Sequence, residues 1–355
     1  MTPRLAALAR GRAVQVAALV LIVLGVSAPV QAQRYTAVQD GDTVRLTDRR
    51  ADVVVSIVPS VGNIAYEMKV KGQNIVRFEH PSVEAFKTKP NMTGVPFMGP
   101  WANRLDEQAF YANGTRYAFD MTVGNVRGRI PIHGFLTTTD QWQVIAVRAT
   151  GREASVTSRL DFSRQPSWMV QWPFAHTIDM TYRLAEGVLE VETTITNTGV
   201  EPMPIAVGFH PYFQLTDSPR DEWRISIGAR ARWRLSADKL PTGETEPLSA
   251  LFNQMPLPLR TVSLDDVFGD LIRDRRGRAT MTVAGKKQRV DVEFGRLYKA
   301  AVIYAPAGQN FICFEPMAGI TNATNMAHKG KYAELQSVAP GKTWRESFWI
   351  RPRGF

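Results

Sequence analysis

Cysteine is almost absent. Cys313 is the only one in 355 residues, so no internal disulfide can form. It sits in the apolar run "FICFE" and reads as a buried structural thiol, not a nucleophile. Histidine is scarce as well, at 5 residues, and no H-x-x-x-H spacing occurs. With neither that spacing nor a cysteine cluster, no metal-ligand pattern is present, and no P-loop or dinucleotide fingerprint accompanies it. The sequence therefore calls for no metal and no redox cofactor. After residue 33 there is no linker, low-complexity tract or clear repeat, and no long amphipathic helix with caps. No segment beyond the first residues is apolar and long enough to span a membrane. The net charge of +10 is scattered, apart from "RDRRGR" at Arg273 to Arg278, which reads as a solvated turn. No nucleic-acid motif accompanies it, so nucleic acid is not an expected partner.

The first residues have their own pattern. "MTPRLAALARGR" carries Arg4, Arg10 and Arg12 and no acid, and 13 mostly apolar residues follow, Val14 to Val26. Small residues then lead to Ala32. These are the charged, apolar and cleavage regions of a secretory signal peptide over residues 1–32. The apolar core is shorter than the ~20 residues of a spanning helix, so cleavage is expected over a retained anchor. The remainder, residues 33–355, is expected to be one domain, basic still and periplasmic or secreted.

That remainder reads as short strands and turns. In "LEVETTITNTG", Leu189, Val191 and Ile195 share one face, and Asn197 and Gly199 end the run. Asn113-Gly114 between aromatic flanks predicts a hairpin, because both residue types tolerate positive φ. "RATMTVAGKKQRVDVEF" is a second pair of alternating runs; "KAAVIYAP", "NFICFEP" and "TWRESFWIRP" are further strands. The 22 prolines and 26 glycines are spread as frequent turns require. The class expected is all-β, a large antiparallel β-sandwich.

Four places could carry chemistry. In "GFHPYF", Pro211 disfavours helical backbone at the residue before it and so holds His210 extended. Phe209 and Phe213 would then point to a core, and Gly208, His210 and Tyr212 the other way, with little bulk at Gly208 to block a ligand. "RIPIHGFL" offers His133 beside Gly134, where another backbone or a ligand can come close. "VPFMGPWANRLDEQAF" offers Asn103 and Arg104. "NFICFEPMAG" ends an apolar strand at Glu315, whose carboxyl pKa desolvation would raise. Each alone also has an ordinary structural reading. His80, His176 and His328 read as structural or surface residues, and most of the 8 tryptophans as core.

Taken together and in order, these segments resemble the aldose 1-epimerase (galactose mutarotase) family. "GPWANRL" resembles G-R-x-A-N-R-I, "IHGF" resembles L-H-G-G, and "GFHPYFQL" resembles N-H-x-Y-F-N-L. "LDDVF" resembles the sugar-binding turn and "ICFEPMAGITNATN" resembles L-E-x-Q-x-x-P-D-A-x-N; "VAPGKTWRESFWI" matches the closing strand. The resemblance implies a galactose mutarotase-like supersandwich that interconverts the α and β anomers of a free monosaccharide without a cofactor. It implies His210 as acid and Glu315 as base. It places His133 beside the ring oxygen and Asn103, Arg104 and Asp265 on the substrate, with Asp266 the alternative to Asp265. Pro100-Trp101, Phe135, Met317 and "TNATN" depart from the pattern. These departures are expected in the walls that choose the sugar, so the resemblance does not name it.

Opening a hemiacetal requires a proton taken from the C1 hydroxyl and one given to the ring oxygen, which a paired base and acid can do. Two other readings use the same fold, a hexose-6-phosphate 1-epimerase and a non-catalytic carbohydrate-binding envelope protein. The first needs a basic phosphate clamp and a cytosolic substrate; the second needs no acid–base pair. A polysaccharide lyase or hydrolase would need an added helical domain. The leader sets the first expected outcome: N-terminal sequencing of exported material should begin near Gln33, whereas intact Met1 in the membrane fraction would indicate an anchor.

Overall fold

The computed structural model describes Thr2 and residues 33–355, so the expected leader lies outside the described residues apart from Thr2. Along the chain, alternation becomes burial. In the strand Val188–Asn197 every second side chain is buried, Leu189, Val191 and Ile195 among them. The strand then stops because Asn197 turns on its own backbone, its Oδ1 accepting from the Gly199 N–H at 2.9 Å. Asn113 and Gly114 close the expected hairpin, with φ of 51° and 77° between the paired strands Ala109–Ala112 and Thr115–Ala118.

Three sheets carry most of the chain. The nine-stranded sheet is centred on His176–Ala185, Val188–Asn197 and Thr343–Arg353, which pair antiparallel along nearly their whole length. The eight-stranded sheet contains Leu264–Leu271, Ala300–Ala305, Ile312–Met317 and the short strands Gly208–Phe209 and Tyr212–Phe213. The two bury a common apolar core, in which Phe209 packs on Phe348 with ring centroids 4.8 Å apart. A five-stranded sheet from Tyr35 to Asn74 packs beside the first strands of the nine-stranded one. There, Tyr182 Oη donates to the Asn63 carbonyl at 2.7 Å. Within the three large sheets strand pairing is antiparallel, and no helix among the described residues exceeds six residues. The fold is the expected antiparallel β-sandwich, and no described helix is long and apolar enough to cross a membrane.

Two local readings need correction. The strand bearing Glu315 does not end there; it runs through Pro316 to Met317, with Pro316 opposite Ala301. A proline removes one ladder hydrogen bond without having to end the strand. Gly208, in turn, does not open space for a ligand. A Cβ there would lie 2.7 Å from Met317 Sδ and 2.9 Å from the Pro316 carbonyl oxygen, so glycine is required by the strand packed against it.

His176 is buried in the nine-stranded sheet, its Nδ1 2.7 Å from the Phe174 carbonyl and its ring stacked on Phe162. Burial lowers its pKa to about 4, against the weaker opposing pull of the carbonyl. The unfolded chain takes up this proton near pH 6.5 and the folded chain does not, so stability falls as pH drops from 6.5 toward 4. Urea unfolding at pH 7 and pH 5 should reveal about 2 kcal/mol of lost stability from this residue. His176→Gln should make that dependence shallower by about this amount; an equally steep dependence in the variant would contradict the assignment.

Candidate active site

Cross-strand register assembles the floor of the site. Ile303, Ile312 and Phe314 enter the main core from one face of the eight-stranded sheet. By alternation, Asp265, Tyr304 and Glu315 occupy the other face and line a cavity of about 170 Å³. Asp265 lies directly across from Tyr304, and Glu315 across from Val302 on the next strand. Asp266 turns away to Arg232, 3.3 Å from its Nη1, so of the two neighbouring acids Asp265 is the one in the cavity.

His210 reaches the same floor from the segment after Gly208–Phe209. Its backbone N–H donates to the Pro96 carbonyl at 3.0 Å, and that of Tyr212 to the Gly94 carbonyl at 2.9 Å. Pro211 between them needs no partner, which fits an extended chain anchored on either side. Phe209 and Phe213 are fully buried in the core, as alternation predicts, while His210 and Tyr212 line the cavity. The Tyr212 ring stacks on the imidazole at 4.7 Å and 19°.

The central contact is between His210 Nε2 and Glu315 Oε1, 3.2 Å apart, with the two residues 6% and 1% exposed. Burial pushes the Glu315 carboxyl well above its ordinary value, and the negative charge of Asp265 adds to this. Burial also pushes the His210 imidazole down. Both shifts favour neutral forms, so the pair holds one proton between them, on Glu315. Glu315 Oε2 and His210 Nδ1 have no hydrogen-bond partner among the described residues.

The wall is built by residues 99–104 and 126–136, locked together by their backbones. Gly99 forms a parallel bridge with Gly134, Trp101 with Ala206, and Arg104 an antiparallel bridge with Ile132. Gly134 has φ +60°, and a Cβ on it would stand 2.0 Å from the Gly99 carbonyl oxygen. The close approach its glycine permits is therefore by backbone, not ligand. Asn103 and His133 also have positive φ, 58° and 60°, a costly conformation for residues with side chains. They hold one another there: the His133 N–H donates to the Asn103 carbonyl at 2.9 Å, and the Asn103 N–H to His133 Nδ1 at 3.2 Å. With Nδ1 an acceptor, the ring proton lies on Nε2. Burial, aided by the positive charge of Arg104, holds His133 well below its ordinary pKa and so neutral.

Asn103 lines the cavity but spends its side-chain oxygen on Arg104, accepting from the backbone N–H at 2.9 Å and from Nη1 at 3.0 Å. It acts there as a brace. Arg104 is buried and its Nη2 lies 3.4 Å from Asp265 Oδ2. The cavity thus gathers all six expected residues, Asn103, Arg104, His133, His210, Asp265 and Glu315.

The profile of the aldose 1-epimerase family matches residues 42–351. The chain belongs to the aldose 1-epimerase family. An uncharacterized Escherichia coli K12 protein, YphB, is 26% identical over 188 residues; the match spans half of this chain and 60% of that relative. Among solved structures, a galactose mutarotase-like protein from Clostridium acetobutylicum is 22% identical with a TM-score of 0.78, covering 90% of this chain and 98% of that one. A galactose 1-epimerase from Lactobacillus acidophilus is 15% identical with a TM-score of 0.65, covering 90% and 98%. At these identities the two structures establish the fold.

The departures from the family pattern do not lie in the cavity wall, contrary to expectation. Trp101 is buried, 4.5 Å from the Phe119 ring, and Phe135 packs on Trp168. Met317 joins a small buried cluster with Met98 and Ala102. The asparagines of "TNATN" brace the wall from behind: Asn322 Oδ1 accepts from the Asp106 N–H at 3.2 Å, and Asn325 Nδ2 donates to Asp106 Oδ1 at 2.6 Å. The residues that do complete the wall are Met92, Arg127, Ile132, Tyr212 and Tyr304. Only Tyr212 carried a signal, its i+2 spacing from His210. The cavity's aromatic surfaces are tyrosines; none of the tryptophans lines it.

Proposed function

We propose that this protein interconverts the α and β anomers of a free aldose by acid–base ring opening, acting outside the cytoplasm after loss of residues 1–32. The observation that carries the reading is the buried His210–Glu315 contact of 3.2 Å in a cavity walled by hydroxyl-binding groups. Asp265 and Arg104 suit sugar hydroxyls as acceptor and donor, and neutral His133 presents an Nε2–H donor. Tyr212 and Tyr304 supply aromatic surface to the wall.

The chemistry follows from one proton on two groups. In the reactive form that proton sits on His210, leaving Glu315 as a carboxylate. Glu315 removes the proton of the C1 hydroxyl while His210 delivers its own to the ring oxygen, and the C1–O5 bond breaks to leave an aldehyde and a C5 hydroxyl. The step ends with Glu315 protonated and His210 neutral, the state burial favours. Ring opening therefore cancels the two charges of the reactive form, and closure restores them. Rotation about C1–C2 presents the other aldehyde face, and closure by the reverse transfers yields the other anomer.

His210→Asn and Glu315→Gln should each reduce kcat by roughly 10²-fold or more, measured by polarimetry of freshly dissolved sugars. The double variant should be little worse than the poorer single one, because half a pair is already nearly inactive. The pH profile of kcat/KM follows from the shifts. The pair takes a second proton only below the lowered His210 value and loses its last one only above the raised Glu315 value. Activity should therefore be level across the neutral range, without a histidine limb near ~6.5. Near-normal exchange by either folded single variant would remove the pair from the mechanism and favour a carbohydrate-binding role.

A further inference from the structure

A second chamber of about 340 Å³, bounded by Ile130, Asp238 and Lys239, adjoins the cavity over Glu315, and the two share Arg104, Arg127 and Asp265 as lining residues. Arg104 and Asp265 face one another at 3.4 Å. Arg127 and Lys239 form no salt bridge among the described residues, although both border the cleft.

Arg127 is placed by a tight hairpin. Val126–Arg127 pairs antiparallel with Ile130–Pro131, with Arg127 directly across from Ile130, and the two-residue turn uses Gly128 at φ +63°. The returning strand leads within two residues to His133. Arg127, an exposed residue, and His133 thus come from one short unit and line one chamber. The positive charge of Arg127 contributes to the lowering of His133, after burial and the charge of Arg104.

This placement reads on the substrate, given the ring-opening reaction proposed above. His210 must lie at the ring oxygen, and His133 is its ring neighbour at 5.5 Å. The carbon next to the ring oxygen on the side away from C1 is C5, which bears C6. With C6 on the His133 side of the ring oxygen, its substituent lies toward the hairpin that carries Arg127, a residue lining both chambers. With Glu315 holding its proton in the empty site, the two chambers present three cations, Arg104, Arg127 and Lys239, against two carboxylates, Asp265 and Asp238.

We propose that Arg127 selects aldoses carrying a carboxylate at C6, so that the substrates of this site are hexuronic acids. A planar carboxylate one bond from the ring matches a guanidinium that borders the inner chamber, in the bidentate geometry arginine favours. Lys239, which borders only the outer chamber, adds long-range attraction.

The test compares anomer exchange of glucuronate and galacturonate with that of glucose and galactose, by polarimetry or exchange NMR. The account expects kcat/KM about 10-fold or more in favour of the uronates, carried mainly in KM and shrinking as salt is added. Arg127→Gln should bring the uronate-to-neutral ratio close to one, while Arg127→Lys retains part of it. Calorimetry with glucuronate on Glu315→Gln reads the subsite without turnover, and adding Arg127→Gln to that variant should abolish the preference. A ratio that favours neutral sugars, or one unchanged in Arg127→Gln, overturns the proposal. A preference for glucose 6-phosphate over both uronates overturns it too, since the anion would then sit farther out. Exchange of no aldose at all would fail the ring-opening reading, whereas exchange of neutral sugars only would fail this proposal alone.

Discussion

Everything in the site depends on keeping an imidazole and a carboxyl together out of water with a single proton to share. In solution the carboxyl would be ionised at neutral pH and the imidazole partly protonated. At 3.2 Å and nearly unexposed, they are driven to the neutral arrangement by the cost of burying charge. Such a pair carries both a proton to give and a site to receive one, as the proposed ring opening and closure require.

The sandwich supplies the rigidity that this requires. Glu315 comes from a strand with every side chain buried, and His210 from a segment tied by backbone hydrogen bonds on both sides of a proline. The wall opposite is held in a conformation that side-chain-bearing residues avoid, with Asn103 and His133 both left-handed. Their reciprocal bonds, the Gly99–Gly134 approach and the Asp106–Asn325 brace oppose the strain. The unusual backbone fixes which nitrogen of His133 carries the proton, so the strain sits where the chemistry needs a defined donor.

Much of this was legible in the sequence, for identifiable reasons. Strands such as Val188–Asn197 announce themselves because burial on one face leaves a period of two. The Asn113-Gly114 turn is legible because few residue pairs accept two positive φ values. His210 and Glu315 stood out through ordered motifs and not through any local rule, since 105 residues separate them (315 less 210). What stayed hidden depends on register. Nothing near Tyr304 says that it will lie across from Asp265, and nothing near Arg127 says that its hairpin will open on the cavity. Gly208 was misread for the same reason: its obligatory partner, Met317, lies on a strand 109 residues away (317 less 208). Trp101 and the asparagines of "TNATN" look like wall substitutions in a motif, yet they pack behind the wall.

The central claim concerns where one proton resides, and nitrogen-15 NMR of labelled histidine measures it directly. In the ligand-free protein between pH 6 and pH 8, the account predicts a neutral imidazole for His210, lost in spectra of His210→Asn, with no titration near ~6.5. An imidazolium signal from His210 at pH 7, or a titration with an ordinary midpoint, would contradict it.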